Sequence, residues 1–548
     1  MALRSETDQP TRAGPFEERL PPGLTADQRE AVMADDPVLC VLAGAGAGKT
    51  GVLTLRVARR SNDATAAAER ILVCTFSRKA ADELRTRLYR LGVAGVTAGT
   101  IHRVALRILR DWRDHKGGPV PTVLGDRRRL LEDMLTTHQS NRATALSLEA
   151  EIGWAKARMI DPGHYEAEAL KTERAVRVPL GVTAQLFSAY EETRKARGLL
   201  DLDDLLLESA IAVEENRAFA DGVRWRFRHL FVDEMQDVNA AQFRLLRALV
   251  ADEPDLFVVG DPNQSIYGWN GADPHLLAEL PDVFGGARVI RLDDNHRCSP
   301  GIVRMATAAL NSAGPDPIST REEGSVPVVD EHESDRDEAR WVARQTWMAH
   351  RPGRRWRHVA VLARTNAQLR IVADALGEQR IPFTFASGEL GPASDLDAPS
   401  GDVTLSHRLE SDATSEDGDT DGVVLSTFHR AKGLQWPCVF VIGICEGLVP
   451  IGSARSTDAI DEERRLLYVA MTRAEDELWC SWARRSEAGN ARAERRPSRW
   501  LQAIVEARAE LEQERAPAPP ETVATHLAHL RSLVSRDATT QLEDAGNF

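Results

Sequence analysis

The 548-residue chain contains no apolar run that approaches the ~18 residues a membrane-spanning helix needs. Residues 1–20 lack the apolar centre of a secretory signal, so a cytoplasmic protein with no membrane partner is expected. Cysteine is scarce. Cys40, Cys74, Cys298, Cys438, Cys445 and Cys480 are scattered, and none forms a C-x-x-C pair. That spacing argues against structural zinc, an iron–sulfur cluster or a disulfide framework, and favours reduced thiols in or near cores. Positive charge is also short: the net charge is −14, which taken alone argues against a nucleic-acid partner. The deficit is uneven, however. Residues 395–421 hold nine acids and only Arg408 as a base, so this stretch alone contributes −8. Binding depends on the local field in a groove rather than on the total. The remaining composition, 43% hydrophobic and 28% charged, is that of a globular protein. Its length is that of three to four domains at about 150 residues each.

From Asp36 onward, short β-branched apolar runs end at polar or glycine-rich turns: PVLCVLAG, RILVCTF, HLFVDE, DLFVVGD, HVAVLART and CVFVIG. Such runs read as buried parallel strands. They fall into two groups, residues 36–262 and 288–482, which predicts an α/β protein of two doubly wound parallel-sheet lobes. Residues 103–227 lack the strand pattern and carry helical spacing instead, so a helical insertion is expected at 106–199 in the first lobe. The first lobe is then 21–105 and 200–287, and the second 288–512. Residues 1–20 read as a disordered arm, 386–421 as an acidic Gly/Ser/Asp-rich linker, and 513–548 as linker and tail around APAPPE.

The run VLCVLAGAGAGKT followed by VLTLRV is strand, glycine-rich turn and helix. Glycines at Gly44, Gly46 and Gly48, interleaved with Ala43, Ala45 and Ala47, let backbone N–H groups approach phosphate oxygens at a helix N-terminus. Lys49 is placed for the β and γ phosphates and Thr50 for Mg²⁺. Ala43 departs from the usual first glycine. In HLFVDEMQD a buried strand delivers Asp233 and Glu234 to the carboxyl end of the sheet. One carboxylate there can bind Mg²⁺ and the other can activate water. A nucleoside triphosphate with Mg²⁺ is therefore the expected cofactor pair.

Ten strings occur in order: LTADQREAV, AGAGAGKT, VCTFSRKAADEL, GTIHR, FVDEMQD, VVGDPNQSIYGWNGADP, LDDNHRCSPGIV, VAVLARTNAQLR, LSTFHRAKGLQWPCVFVIG and EERRLLYVAMTRAEDEL. Over residues 24–485 the chain resembles the UvrD/Rep/PcrA family of superfamily 1 DNA helicases. The resemblance implies two RecA-like lobes and an ATP-driven motor moving 3′ to 5′ on single-stranded DNA. It implies that Gln28 reads the adenine, Gln264 senses the γ-phosphate, and Arg297 and Arg473 contact that phosphate from the second lobe. Catalytic roles then fall to Glu234, Gln264, Arg297 and Arg473. It places Phe76, Tyr267, Trp269 and His429 near the DNA strand, where aromatics stack on bases without reading sequence. For Phe76 and Tyr267 core packing is the competing reading. Arg78, Lys79 and Arg430 are candidates for DNA phosphates.

Some positions depart from the family pattern. His296 replaces the tyrosine that stacks on adenine, Gln435 replaces a glutamate near the ribose, and Asn270 replaces an arginine. Gly51 stands where an arginine is common, and Ile101 where an aromatic is. The segment between Ala386 and Gly422 is too short for the family's auxiliary subdomain, which is expected to be missing; the acidic stretch is a plain solvated linker, a segment that repels stray DNA backbone, or a dock for a basic partner. The implied partners are single-stranded DNA, single/double-strand junctions and a DNA-repair protein. The rival expectation is an ATP-gated DNA-binding subunit that does not unwind duplex by itself.

Overall fold

The structure, a computed structural model, describes residues 16–118, 122–136, 142–251, 254–311, 316–350, 353–386, 421–487 and 493–515. The first sheet contains β1 (Val38–Ala43), β2 (Ile71–Thr75) and β3 (Thr97–Thr100). Two short strands, β4 (Thr122–Val123) and β5 (Leu199–Leu200), form a pair of their own, and β6 (His229–Val232), β7 (Leu256–Gly260) and β8 (Arg288–Leu292) complete the first sheet. Its order is β3-β2-β6-β7-β1-β8, and its pairs are parallel. β9 (Asp294–Asn295) and β10 (Ile318–Ser319) make a short parallel pair.

The second sheet is built from β11 (Val328–Ser334), β12 (Val359–Ala363), β13 (Phe383–Phe385), β14 (Val423–Thr427), β15 (Trp436–Val441) and β16 (Ala474–Ser486). The order is β11-β16-β15-β12-β14-β13, with β17 (Ala493–Glu494) antiparallel on β16.

Both sheets are covered on two faces because their strands alternate between two cores. In β1, Leu39, Val41 and Ala43 pack with the helices Ala26–Met33, Lys49–Asn62 and Arg78–Arg90. Val38 and Cys40 point the other way, onto Ile101–Lys116, Leu202–Glu215 and Ala240–Val250. In β12, Val359, Val361 and Ala363 meet Asp335–Ala349 and Asn366–Glu378. Ala360 and Leu362 meet Pro300–Leu310, Thr457–Met471 and Leu501–Arg515. Two doubly wound lobes result. All six cysteines are buried, and burial pushes the Cys40 and Cys74 thiols up to about 12.

Three boundaries move. Phe16–Arg19, read as part of a disordered arm, is a helical turn whose Phe16 is buried with Leu20 against the first lobe. β8, assigned to the second lobe, pairs with β1, from Leu39↔Arg288 to Ala43↔Leu292, so the first lobe extends to Leu292. Helix Ile101–Lys116 shares the first lobe's core, whereas helices from Arg127 to Ala196 gather around their own core of Leu131, Leu148, Tyr165, Phe187 and Tyr190. The helical insertion therefore begins after Lys116. Residues 1–15, 387–420 and 516–548 carry most of the expected arm, acidic linker and tail, and lie outside the described residues. The acidic stretch connects β13 to its neighbour β14, a parallel pair that requires a crossover.

Candidate ATP site and nucleic-acid interface

The phosphate loop leaves β1 and enters helix Lys49–Asn62. Gly46 and Gly48 adopt φ of 72° and 80°. A Cβ at Gly46 would sit 2.6 Å from Asn295 Oδ1 and 2.8 Å from Arg297 Cβ, so the loop is pressed against the second lobe at a place only glycine tolerates. The His296 N–H donates to Gly46 O at 3.0 Å across the same seam.

Gln28 is placed by a capping box with Thr25 at the start of helix Ala26–Met33. The helix's other end is gripped by Arg56, which is fully buried and donates to Ala31 O at 2.9 Å and Ala34 O at 2.6 Å. Gln28 Nε2 then donates to Ala47 O and lies 3.0 Å from both that oxygen and His296 Nε2. His296 Nδ1 is 2.7 Å from Thr320 Oγ1. The histidine standing in for the stacking tyrosine is therefore held edge-on by two polar partners, and its ring remains exposed.

Lys49 is folded onto its own loop, donating to Ala43 O at 3.1 Å and Gly44 O at 3.2 Å, with Asp261 at 3.8 Å. Thr50 Oγ1 donates to Asp233 Oδ2 at 3.4 Å. Burial, reinforced by the neighbouring Glu234 carboxylate, pushes Asp233 up to about 7. A hydroxyl beside a buried carboxylate that is poorly stabilised as an anion is a donor set that fits Mg²⁺. Glu234 sits at φ 54°, in the left-handed region that non-glycine residues adopt uncommonly. Burial raises its pKa, but Lys432, Lys49 and a bond from Gln236 Nε2 at 2.5 Å outweigh it, so Glu234 is held below its usual value as an anion.

Arg473 follows the capped end of helix Thr457–Met471 and is buried, bonded to Val469 O at 2.9 Å and Leu434 O at 3.1 Å. Burial, with Arg297 nearby, lowers its pKa to about 9. Arg473 reaches Gln264 Oε1 at 3.4 Å, Gln264 Nε2 donates to Asp261 Oδ2 at 2.6 Å, and Asp261 faces Lys49. Arg297 donates to Thr472 O at 3.3 Å, while its buried Nε and the Asn295 Nδ2 have no partner among the described residues. Orphaned donors facing a phosphate loop fit a polyphosphate. The structure thus brings Gln28, residues 43–50, Asp233, Glu234, Gln264, His296, Arg297 and Arg473 to one seam.

Two residues at that seam were not singled out in the sequence. Lys432 in AKG donates to both Asp237 carboxylate oxygens at 2.8 and 2.6 Å and to Gln264 O at 2.6 Å. Tyr468 is bonded to the Ala45 backbone and feels Asp261. A buried lysine needs carboxylate partners, and the acid at the end of DEMQD was the available signal.

The aromatics run across the seam. His429 lies edge-on to Trp269 at 6.3 Å, Trp269 meets Tyr267 at 6.4 Å, and Tyr267 stacks on Phe76 at 5.2 Å. Phe76 and Trp269 are half-buried. Tyr267 is buried, with Phe76 stacked on it and Lys432 Nζ 5.1 Å from its ring centre, an arrangement that matches the competing core-packing reading. His429 is likewise buried. Arg78 and Lys79 are exposed at the start of helix Arg78–Arg90, and Gln435 is exposed.

A phosphate-loop seam between two doubly wound lobes, lined with aromatics, defines a two-lobed P-loop NTPase. Residues 24–284 match the UvrD/REP helicase N-terminal domain, and residues 290–389 with 401–485 match the UvrD-like helicase C-terminal domain. The chain belongs to this UvrD/PcrA-like family of helicases. It is similar to the ATP-dependent DNA helicase UvrD2 of Mycobacterium tuberculosis, at 33% identity over 573 positions covering 88% of this chain and 82% of the relative. The ATP-dependent DNA helicase PcrA of Staphylococcus epidermidis is 25% identical over 635 positions, covering 88% of this chain and 86% of the relative. No helix among the described residues is long and apolar enough to cross a membrane.

Proposed function

We propose that this chain is a DNA-dependent ATPase that moves 3′ to 5′ along single-stranded DNA and acts at single/double-strand junctions in DNA repair or recombination. The observation that carries the reading is the continuous path Arg473–Gln264–Asp261–Lys49 across the seam. It places the second lobe's arginine, the candidate γ-phosphate sensor and the phosphate-loop lysine in one network.

The loop from Ala43 to Gly48 cradles phosphates with its backbone N–H groups. Lys49 exchanges its loop carbonyls and Asp261 for the substrate's phosphates. Thr50 and Asp233 would hold Mg²⁺, which when bound would supply charge neutralisation on phosphate oxygens. Glu234, kept anionic by Lys432 and Lys49, orients and deprotonates the attacking water. Arg297 and Arg473 stabilise charge that develops on the phosphoryl group. Because they come from the other lobe, turnover requires closure, and loss of the γ-phosphate releases it.

The same second-lobe elements hold the DNA-side segment. Lys432 bonds Gln264 O, Arg465 donates to Ser265 O at 2.8 Å, and Glu462 is bonded to the Trp269 backbone. Lobe movement is therefore transmitted to Trp269, the best-placed base-stacking group. The distinguishing experiment is strand displacement on duplexes with a 3′ or a 5′ single-stranded tail. Unwinding restricted to the 3′-tailed substrate supports the direction; unwinding restricted to the 5′-tailed one refutes it.

A second reading, a translocating subunit that does not separate strands alone, is favoured by one feature. The PcrA alignment runs over 635 positions against 548 residues in this chain, so the relative carries residues with no counterpart here. The short β13–β14 crossover supports placing that loss at the auxiliary subdomain. ATP hydrolysis stimulated by DNA without displacement of either duplex is the outcome this reading expects.

A further inference from the structure

The aromatic run His429–Trp269–Tyr267–Phe76 leads from the second lobe to the loop that follows β2. One strand lies beyond β2 in the sheet, the edge strand β3, with Thr75 opposite Thr100. Helix Ile101–Lys116 starts from the end of β3, so it stands next in line along the same edge.

The helix has two unlike faces. Ile101, Val104, Ala105, Ile108 and Leu109 are buried in the first lobe's core. Arg103, Arg107 and Arg110 are exposed. Spacings of four and three put these arginines in one row about 10 Å long. The stretch RVALRILR contains no acid. Among the described residues none of the three makes an ion pair. Arg113, one turn on, pairs with Glu208 at 3.2 Å, and Asp111 pairs with Arg226 at 3.8 Å. Asp111, four residues after Arg107, interacts with it electrostatically, but in a chain where acids outnumber bases 83 to 69 a row of three exposed arginines with no ion pair among the described residues stands out. Arg78 and Lys79, exposed and also without an ion pair among the described residues, follow Phe76 closely in the chain.

We propose that the outward face of helix Ile101–Lys116, through Arg103, Arg107 and Arg110, is a further binding tract for the phosphates of single-stranded DNA as it passes Phe76 at the first lobe's edge. The proposal rests on the strand path proposed above. Charge complementarity and continuity with that path identify the occupant. Guanidinium groups bind phosphate without reading base identity, as a motor requires. A row of that length spans about two nucleotides.

The test is fluorescence-anisotropy binding of the full chain to labelled oligothymidylates of about 8 and about 16 nucleotides across a salt series, a range that brackets single-strand site sizes. For Arg107→Glu with Arg110→Glu, the longer strand loses its affinity advantage over the shorter one. Its log–log salt slope shrinks by about 1.4, at about 0.7 per lost phosphate contact. The shorter strand binds as in the parent protein. Arg107→Gln with Arg110→Gln removes the same contacts without adding charge and gives the same length-dependent loss. Equal weakening of both lengths, or an unchanged longer strand, overturns the tract. Trp269→Ala separates the two claims. If it leaves the shorter strand's affinity unchanged, the strand path fails; if it weakens the shorter strand while the arginine variants spare the longer one, only the tract fails.

Discussion

Glu462 shows how one side chain can tie the lobes together. It lies on helix Thr457–Met471, bonded to the Trp269 backbone, and burial outweighs the attraction of Arg465 to push its carboxyl up to about 7. A folded-state pKa above the usual 4.5 means that its contribution to stability is complete below about 4.5 and lost as pH rises through about 7. Glu462→Gln keeps the group neutral, so its melting temperature matches the parent's near pH 5 and exceeds it near pH 8. A parallel fall in both proteins across that window contradicts the assignment. At the site itself, Glu234→Gln lowers DNA-stimulated turnover by roughly 10²–10⁴-fold, the usual contribution of a general base. Arg473→Ala lowers kcat by about 10³-fold or more, the scale of an arginine finger. Lys49→Ala abolishes turnover, and steady-state hydrolysis checks all three. Trp269→Ala weakens single-strand binding by about 1–3 kcal/mol, read as a titration; unchanged affinity removes its stacking role. The residues proposed to hold ATP could be named from the sequence because short strings fix them locally. Lys432 and Tyr468 could not, because their partners, Asp237 and Ala45, lie hundreds of residues away in the chain.

Among the elements, the helical insertion is pinned to the first lobe by a buried charge cluster. Lys156 Nζ contacts Glu191 at 2.8 Å, Asp201 at 2.8 Å and Asp204 at 2.7 Å. Arg127 pairs with Asp201 and Asp203 at 3.1 and 2.6 Å, and Arg194 with Asp204 at 2.9 Å. Burial and the Asp201 charge push Asp204 up to about 7, so the cluster is finely balanced. Lys156→Met strands buried carboxylates and destabilises the protein by roughly 3–5 kcal/mol, measurable by urea denaturation; a loss below 1 kcal/mol on that roughly stated scale rejects the cluster as a structural pin. Strands with continuous apolar runs, such as VLCVLA and ILVCT, were readable from the sequence. TAGT in β3 is too short and too small, and AEDELWCSWARRS in β16 mixes charge with apolar residues. β8, RVIRL, interleaves arginines with apolar residues and was not read as a strand, and its pairing with β1 is non-local.

Across the whole molecule, the cores of the two lobes meet. Ala45, Ile266, Tyr267 and Ala272 of the first lobe share one apolar cluster with Ile302, Phe428, Leu466 and Tyr468 of the second. Polar links from Arg473, Arg465 and Lys432 cross the same seam. The proposed nucleotide site and the proposed DNA-side segment are therefore mechanically joined, and each should respond to the other's ligand. That coupling is the central claim, and the most direct measurement is the steady-state ATP hydrolysis rate of the full chain with and without an oligothymidylate. The account predicts slow hydrolysis alone and strong stimulation by the single strand, with the stimulation lost in Arg473→Ala. A hydrolysis rate that single-stranded DNA leaves unchanged contradicts it.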